Sequence, residues 1–114
     1  MFNTIPVPKF NIDGIEFTLQ FDYNILILDD SNNYYGITVA YAKLENPLQI
    51  VAAKSVKHPK DLYKQGYGEK VAAHRLFNAI YGLRAYKDAT TPISRKEFVS
   101  KCFSYLFENE ILRK

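Results

Sequence analysis

The feature that most constrains this chain is a single change of hydrophobic period near residue 57. Ahead of it, Ile15, Phe17, Leu19 and Phe21 alternate with Glu16, Thr18, Gln20 and Asp22, the period of two expected of a strand with one buried face. Beyond it, Ala72, Leu76, Ala79, Ile80 and Leu83 recur three and four residues apart, which places them on one stripe of a helix. Strands first and helices afterwards is the order of an α+β fold. The expected architecture is an antiparallel sheet of four to five strands in the N-terminal half, with two C-terminal helices laid on one face. The 114 residues suit a single domain, 1–114.

Local signals place the elements. Asp13-Gly14 is a hairpin dipeptide that supplies positive φ, so residues 4–10 are the expected partner of the strand that follows. Pro6 and Pro8 cannot donate ladder hydrogen bonds, which assigns that partner to an edge. The run Ile25-Leu26-Ile27-Leu28 is expected to be buried on both faces, and Asp29 to Asn33 form a turn cluster. Tyr35, Ile37, Val39 and Tyr41 give a second alternating strand. Glu45-Asn46-Pro47 turns the chain, and residues 48–56 close the sheet. Connections this short join antiparallel neighbours.

In the second half, Gly66 and Gly68 precede a helix whose first turn holds Glu69, suited to the positive helix terminus. Opposite its apolar stripe lie Lys70, His74, Asn78 and Tyr81, with Val71 and Phe77 on the flanks. After a loop with Thr90, Thr91 and Pro92, Ser94-Arg95-Lys96-Glu97 reads as a capping box. Phe98, Val99, Cys102, Phe103, Tyr105 and Leu106 form a broad apolar face behind it. Glu97 and Lys101 are spaced to pair on its outer side.

Several chemistries are excluded. One cysteine forms neither an internal disulfide framework nor a CxxC site. His58 and His74 stand sixteen apart without the ligand set of a metal site, so neither metal nor cofactor is expected. Asp30-Ser31-Asn32-Asn33-Tyr34-Tyr35 begins like a calcium loop, but tyrosine stands where its glycine must be. Gly66-Tyr67-Gly68 lacks both the third glycine of a dinucleotide motif and the Lys-Ser/Thr of a P-loop. Cys102 falls on an apolar face, where a thiol is unreactive. No catalytic residues are assigned and the chain is not expected to be an enzyme. No apolar run reaches the ~18 residues of a membrane span, and the N-terminus lacks a signal-peptide pattern. The expected location is the cytoplasm.

Charge is unevenly divided. Residues 1–53 carry two lysines against six acids, and residues 54–114 carry thirteen Lys and Arg against six. An anionic partner would therefore meet the second half. Lys54, Lys57, His58, Lys60, Lys64, Lys70, His74 and Arg75 cluster there, interleaved with Tyr63, Tyr67 and Tyr81. Such a pattern suits phosphate neutralisation with aromatic stacking.

The run Val51-Ala52-Ala53-Lys54, His58-Pro59-Lys60-Asp61-Leu62-Tyr63-Lys64 and Gly68-Glu69-Lys70-Val71-Ala72-Ala73-His74-Arg75-Leu76 resembles a pattern in small bacteriophage and mobile-element accessory proteins. That pattern is a strand, then Asp-x-Phe-x-Lys, a glycine, and Ile-Ala-x-x-Arg on a helix. Here Tyr63 replaces the Phe, and the spacing around residues 65–67 is longer and richer in glycine. The resemblance implies a non-catalytic factor that binds a host protein or nucleoprotein complex, such as an inhibitor of a bacterial defence nuclease of the anti-CRISPR or anti-restriction type. Its partner surface is expected on Lys70, His74, Phe77, Asn78 and Tyr81. The alternative is a nucleic-acid-binding module that holds DNA or RNA with Lys54, Lys57, Lys60, Lys64, Lys70 and Arg75. Structurally, Asp61 would cap a turn, Gly68 would allow close helix–strand approach, and Arg75 would brace the strand–helix joint.

Overall fold

Asp13 and Gly14 take φ values of 51° and 89°, the left-handed pair of a type I′ turn whose twist matches that of the flanking strands. They join β1 (Lys9–Ile12) to β2 (Ile15–Ile27); β3 (Tyr34–Leu44), β4 (Gln49–Lys57), α1 (Tyr67–Arg84) and α2 (Arg95–Glu108) follow. These elements come from a computed structural model, which describes residues 8–27, 34–57, 66–84 and 93–112. The described strands form one antiparallel sheet in the order β1-β2-β3-β4, so the α+β reading holds, with four strands and two helices.

Of the expected edge strand 4–10, residues 4–7 lie outside the described residues; β1 runs from Lys9 to Ile12, and the Pro8 carbonyl ahead of it accepts from the Leu19 amide at 3.2 Å. The turn cluster at 29–33 lies outside the described residues, as do Asp61 and the Thr90-Thr91-Pro92 loop.

Register sorts the strand residues onto two faces. Phe17 pairs with Leu44, Leu19 with Ala42 and Phe21 with Ala40, while Ala42 pairs with Val51, Ala40 with Ala53 and Thr38 with Ser55. These residues share the inner face, where Phe10, Phe17, Leu19, Ala40, Ala42 and Leu44 are buried under the helices. Ile25 departs from the burial on both faces expected of the run at 25–28, being 56% exposed; the side chains of residues 26–28 lie outside the described ones. Ile25 pairs with Gly36, beyond the Thr38–Ser55 row on which α1 begins, so this end of the β2–β3 hairpin extends past the helix start.

The first turn of α1 sits close on the sheet. Ser55 Oγ donates to the Gly68 carbonyl at 2.7 Å, and Gly66 turns the chain into the helix with φ 78°. At the far end, Arg84 donates to the carbonyls of Asn46 and Pro47 at 3.0 and 2.7 Å. The helix therefore lies along β4 with both ends fastened. Its stripe is turned from the expected one. Ala72, Ala73, Leu76, Phe77 and Ile80 are buried, whereas Leu83 is 40% exposed and Ala79 half-buried.

Ser94 caps α2 by accepting from the Glu97 amide at 3.1 Å, a contact worth about 1 kcal/mol. Phe98, Val99, Cys102 and Leu106 face the core, with Phe103 and Tyr105 on its flanks. Lys101 takes Asp13 at 2.9 Å instead of the expected Glu97, because docking of α2 brings the β1–β2 turn within reach. Tyr105 Oη donates to the Lys9 carbonyl at 2.9 Å, so α2 covers the β1 side of the sheet and α1 the β4 side. Among the described residues no helix is long and apolar enough to cross a membrane.

A Cβ at Gly68 would stand 2.7 Å from Thr38 Oγ1 and 3.3 Å from Ser55 Oγ. Gly68→Ala is therefore expected to destabilise the fold by roughly 1–3 kcal/mol, although alanine is the better helix former. Thr38→Ala in the same chain should return part of the loss. Urea midpoints at an unchanged m-value check both.

Candidate protein-binding surface

The five residues assigned to a partner surface all lie along the side of α1 against which α2 docks. Phe77 is fully buried, with its ring 6.0 Å from those of both Phe10 and Phe17 and 5.3 Å, edge-on, from Phe103. It is a core residue, so its placement on an exposed face is corrected. Spacing along α1 showed that Phe77 flanks the apolar stripe, and α2 packs on that flank.

Tyr81 is also engaged at this junction. Its hydroxyl donates to the Ile93 carbonyl at 2.9 Å, its ring lies 5.7 Å from Phe98, and the Arg95 guanidinium covers it at 4.9 Å. The same Arg95 donates to the Asn78 carbonyl at 2.8 Å and to Asn78 Oδ1 at 3.3 Å. Asn78 Nδ2 in turn donates to the His74 carbonyl at 2.9 Å.

Three of the five keep an outward aspect. Lys70 and Asn78 are half-buried and His74 is exposed, one helical turn apart along the rim of the α1–α2 seam. Two residues from α2, unassigned from sequence, complete the rim. Phe103 lies 6.2 Å from the His74 ring and 5.9 Å from Phe107, and Lys70 Nζ stands 5.9 Å over the Phe107 ring. Phe103 and Phe107 are half-buried. Their four-residue spacing puts them on one flank of α2, and only the docking of the helices shows which cations they meet. The result is an aromatic pair edged by a lysine and a histidine, a combination that supplies stacking and cation–π contacts.

The residues assigned to nucleic acid are not drawn together. Lys54 alternates with Ala53 and Ser55, so it projects from the sheet face opposite α1. Lys70 faces α2. Arg75 turns toward the β4 edge, where its Nη1 donates to the Lys54 carbonyl at 2.7 Å, as expected of a brace for that joint. Lys57 follows the inner-face register, opposite Gly36. Lys60, Lys64 and His58 lie outside the described residues. No phosphate-tracking stripe forms among the described members.

The outer sheet face is the second notable surface. Ile37, Val39, Tyr41 and Val56 are half-buried there, Ile50 is 73% exposed, and no described helix covers them. Tyr41 Oη donates to Asp22 Oδ2 at 2.9 Å. That hydrogen bond, with desolvation and the carboxylate charge behind it, holds the phenol above its usual pKa.

Among the described residues no group of three or more His, Cys, Asp or Glu is placed to hold a metal ion. The chain matches no protein-family model, no curated protein and no solved structure.

Cys102 is free and fully buried, and burial pushes its thiol from 9.0 up to about 12. At neutral pH it is a core thiol, since the thiolate is the nucleophile. The unfolded chain releases this proton near 9.0 and the folded chain only near 12. The associated stability is whole below pH 9 and lost as pH rises toward 12. A disulfide reagent at pH 8 should therefore modify Cys102 only at the rate of unfolding. Cys102→Ala should flatten the alkaline limb of a stability–pH profile; fast labelling of the native chain would contradict this burial.

Proposed function

We propose that the chain is an accessory protein that acts by binding a protein of its host cell, without catalysing a reaction, through the rim of the α1–α2 seam. The observation that carries this reading is the half-exposed Phe103–Phe107 pair flanked by Lys70 and His74. Aromatic anchors beside cations dominate protein interfaces energetically. The cations favour a partner with an acidic rim, as electrostatic complementarity requires. The resemblance to small bacteriophage and mobile-element accessory proteins supplies the class of target, a defence nuclease whose activity falls when the complex forms. The nucleic-acid reading is the weaker of the two, because Lys54, Lys70 and Arg75 point in three directions.

The test uses the tagged full-length chain in a bacterial lysate, with and without added nuclease, followed by titration of the captured protein. Capture of one stoichiometric protein that survives nuclease treatment is expected, together with loss of that protein's own nuclease activity on titration. Phe107→Ala with Lys70→Glu should weaken capture by roughly 10- to 100-fold and leave the circular dichroism spectrum unchanged. Undiminished capture by this variant would remove the seam from consideration. A partner list that disappears with nuclease treatment would move the assignment to nucleic acid, whose phosphate contacts also weaken steeply with salt.

A further inference from the structure

The outer sheet face lies opposite the α1–α2 seam and carries charges in an arrangement of its own. Val39, on the inner strand β3, pairs with Asp22 of β2 on one side and Lys54 of β4 on the other. Both charged residues are exposed, and each stands about 4.8 Å from Val39 across the sheet. The row therefore reads acid, apolar, base, with the charges evenly placed about its centre. Ile37 and Tyr41 continue the apolar line along β3, and Ala52, Val56 and the exposed Ile50 extend it onto β4.

We propose that this face is the interface of a twofold homodimer, centred on Val39 and closed by two reciprocal ion pairs between Asp22 and the partner's Lys54. An axis running nearly along β3 over Val39 turns the row end for end. Each acid then meets a base, and Val39 meets the partner's Val39. Such an interface is isologous, with one patch serving both copies. Two sheets packed this way lie about 10 Å apart with their strands near −30°.

Three observations favour a second copy on this face. Tyr41 Oη fixes the Asp22 carboxylate at 2.9 Å, and an ionised carboxylate retains lone pairs for another donor. Lys43, which the axis brings toward the partner's Lys43, has Glu45 at 3.7 Å to offset its charge. The other route to a sheet-based dimer, edge to edge through β4, is obstructed because Arg75 occupies the Lys54 carbonyl.

The size of the face bounds the affinity. With strands about 4.8 Å apart and a rise of about 3.4 Å per residue, the three strands β2, β3 and β4 that the axis superposes, followed along β3 from Tyr35 to Lys43, offer a footprint of roughly 400 Å² before side-chain relief is counted. Specific interfaces begin near 600 Å² per partner, so the dimer belongs to the micromolar class.

Sedimentation equilibrium of the full chain over a micromolar concentration series is the test. The wild type should approach twice the 13.2 kDa chain mass. Asp22→Lys and Lys54→Asp, each alone, should raise the dissociation constant by about 100-fold, since each sets like charges together twice. Combined in one chain, they should bring dimerisation back. That recovery also shows that the single variants are folded. A wild type that stays monomeric throughout, or single variants that dimerise unchanged, would overturn the proposal. Recovery failing in a double variant that keeps the wild-type circular dichroism spectrum would overturn the ion-pair geometry. None of these outcomes bears on host-protein capture, which is read at Lys70 and Phe107 on the opposite side.

Discussion

Phe77 is the contact on which the other packing depends. It reaches Phe10 and Phe17 in the sheet and Phe103 in α2, so all three parts of the fold meet at one ring. Phe10 and Phe17 stack at 4.7 Å beneath it. Tyr105, whose ring lies 4.4 Å from Phe10, encloses the group from the other helix. Aromatic pairs add about 0.5–1.5 kcal/mol each beyond the area they bury, and these pairs share members, so they are lost together. Small residues supply the complementary half of the arrangement. Ala40, Ala42, Ala72 and Ala73 are buried and let α1 lie close enough for Phe77 to span the layers.

That geometry separates two surfaces with different chemistry. On the helical side, the seam is sealed from within by Phe77 and edged outside by Lys70, His74, Phe103 and Phe107. On the sheet side, β-branched and aromatic residues of β3 and β4 stand beside a polar β2. The inner face is closed by aromatic bulk, while the outer face is left open by the described helices, with charges on either side of an apolar strand. A surface of the first kind suits a few deep anchors, and one of the second suits broad, shallow contact.

Where a signal was local, the sequence was legible. Asp13-Gly14 specified its turn because only certain residues take positive φ without strain. Ser94 specified the start of α2 through a contact three residues away, and strand alternation correctly assigned Phe17 and Leu19 inward. Gly68 and Arg75 also took the structural parts expected of them. What stayed hidden depends on which side of α1 the second helix chooses. Helical spacing marks an apolar stripe but not a second neighbour, so Phe77 read as a flank residue and Leu83 as a core one. The Lys101 partner was missed for the same reason, since Asp13 lies 88 positions away in the chain. The basic cluster looked like a patch because its members are near in sequence, yet strand alternation and helical rotation turn Lys54, Lys70 and Arg75 apart. Phe103 and Phe107 carried no mark that distinguished a rim from a core.

The bonds between α2 and β1 have a consequence for how the chain is made. Tyr105 reaches back 96 positions to Lys9, and Lys101 reaches back 88 to Asp13. Elements so far apart in sequence meet late, because long loops must close before their contacts are rewarded. During synthesis the β1–β2 hairpin emerges well ahead of α2, so Phe10 and Phe17 are prepared for a cover that leaves the ribosome much later. Until α2 arrives, that aromatic face is available to any apolar surface nearby, including a neighbouring nascent chain. Pro8 ahead of β1, with Lys9 and Asn11 turned outward, limits what can add to that edge in the interval.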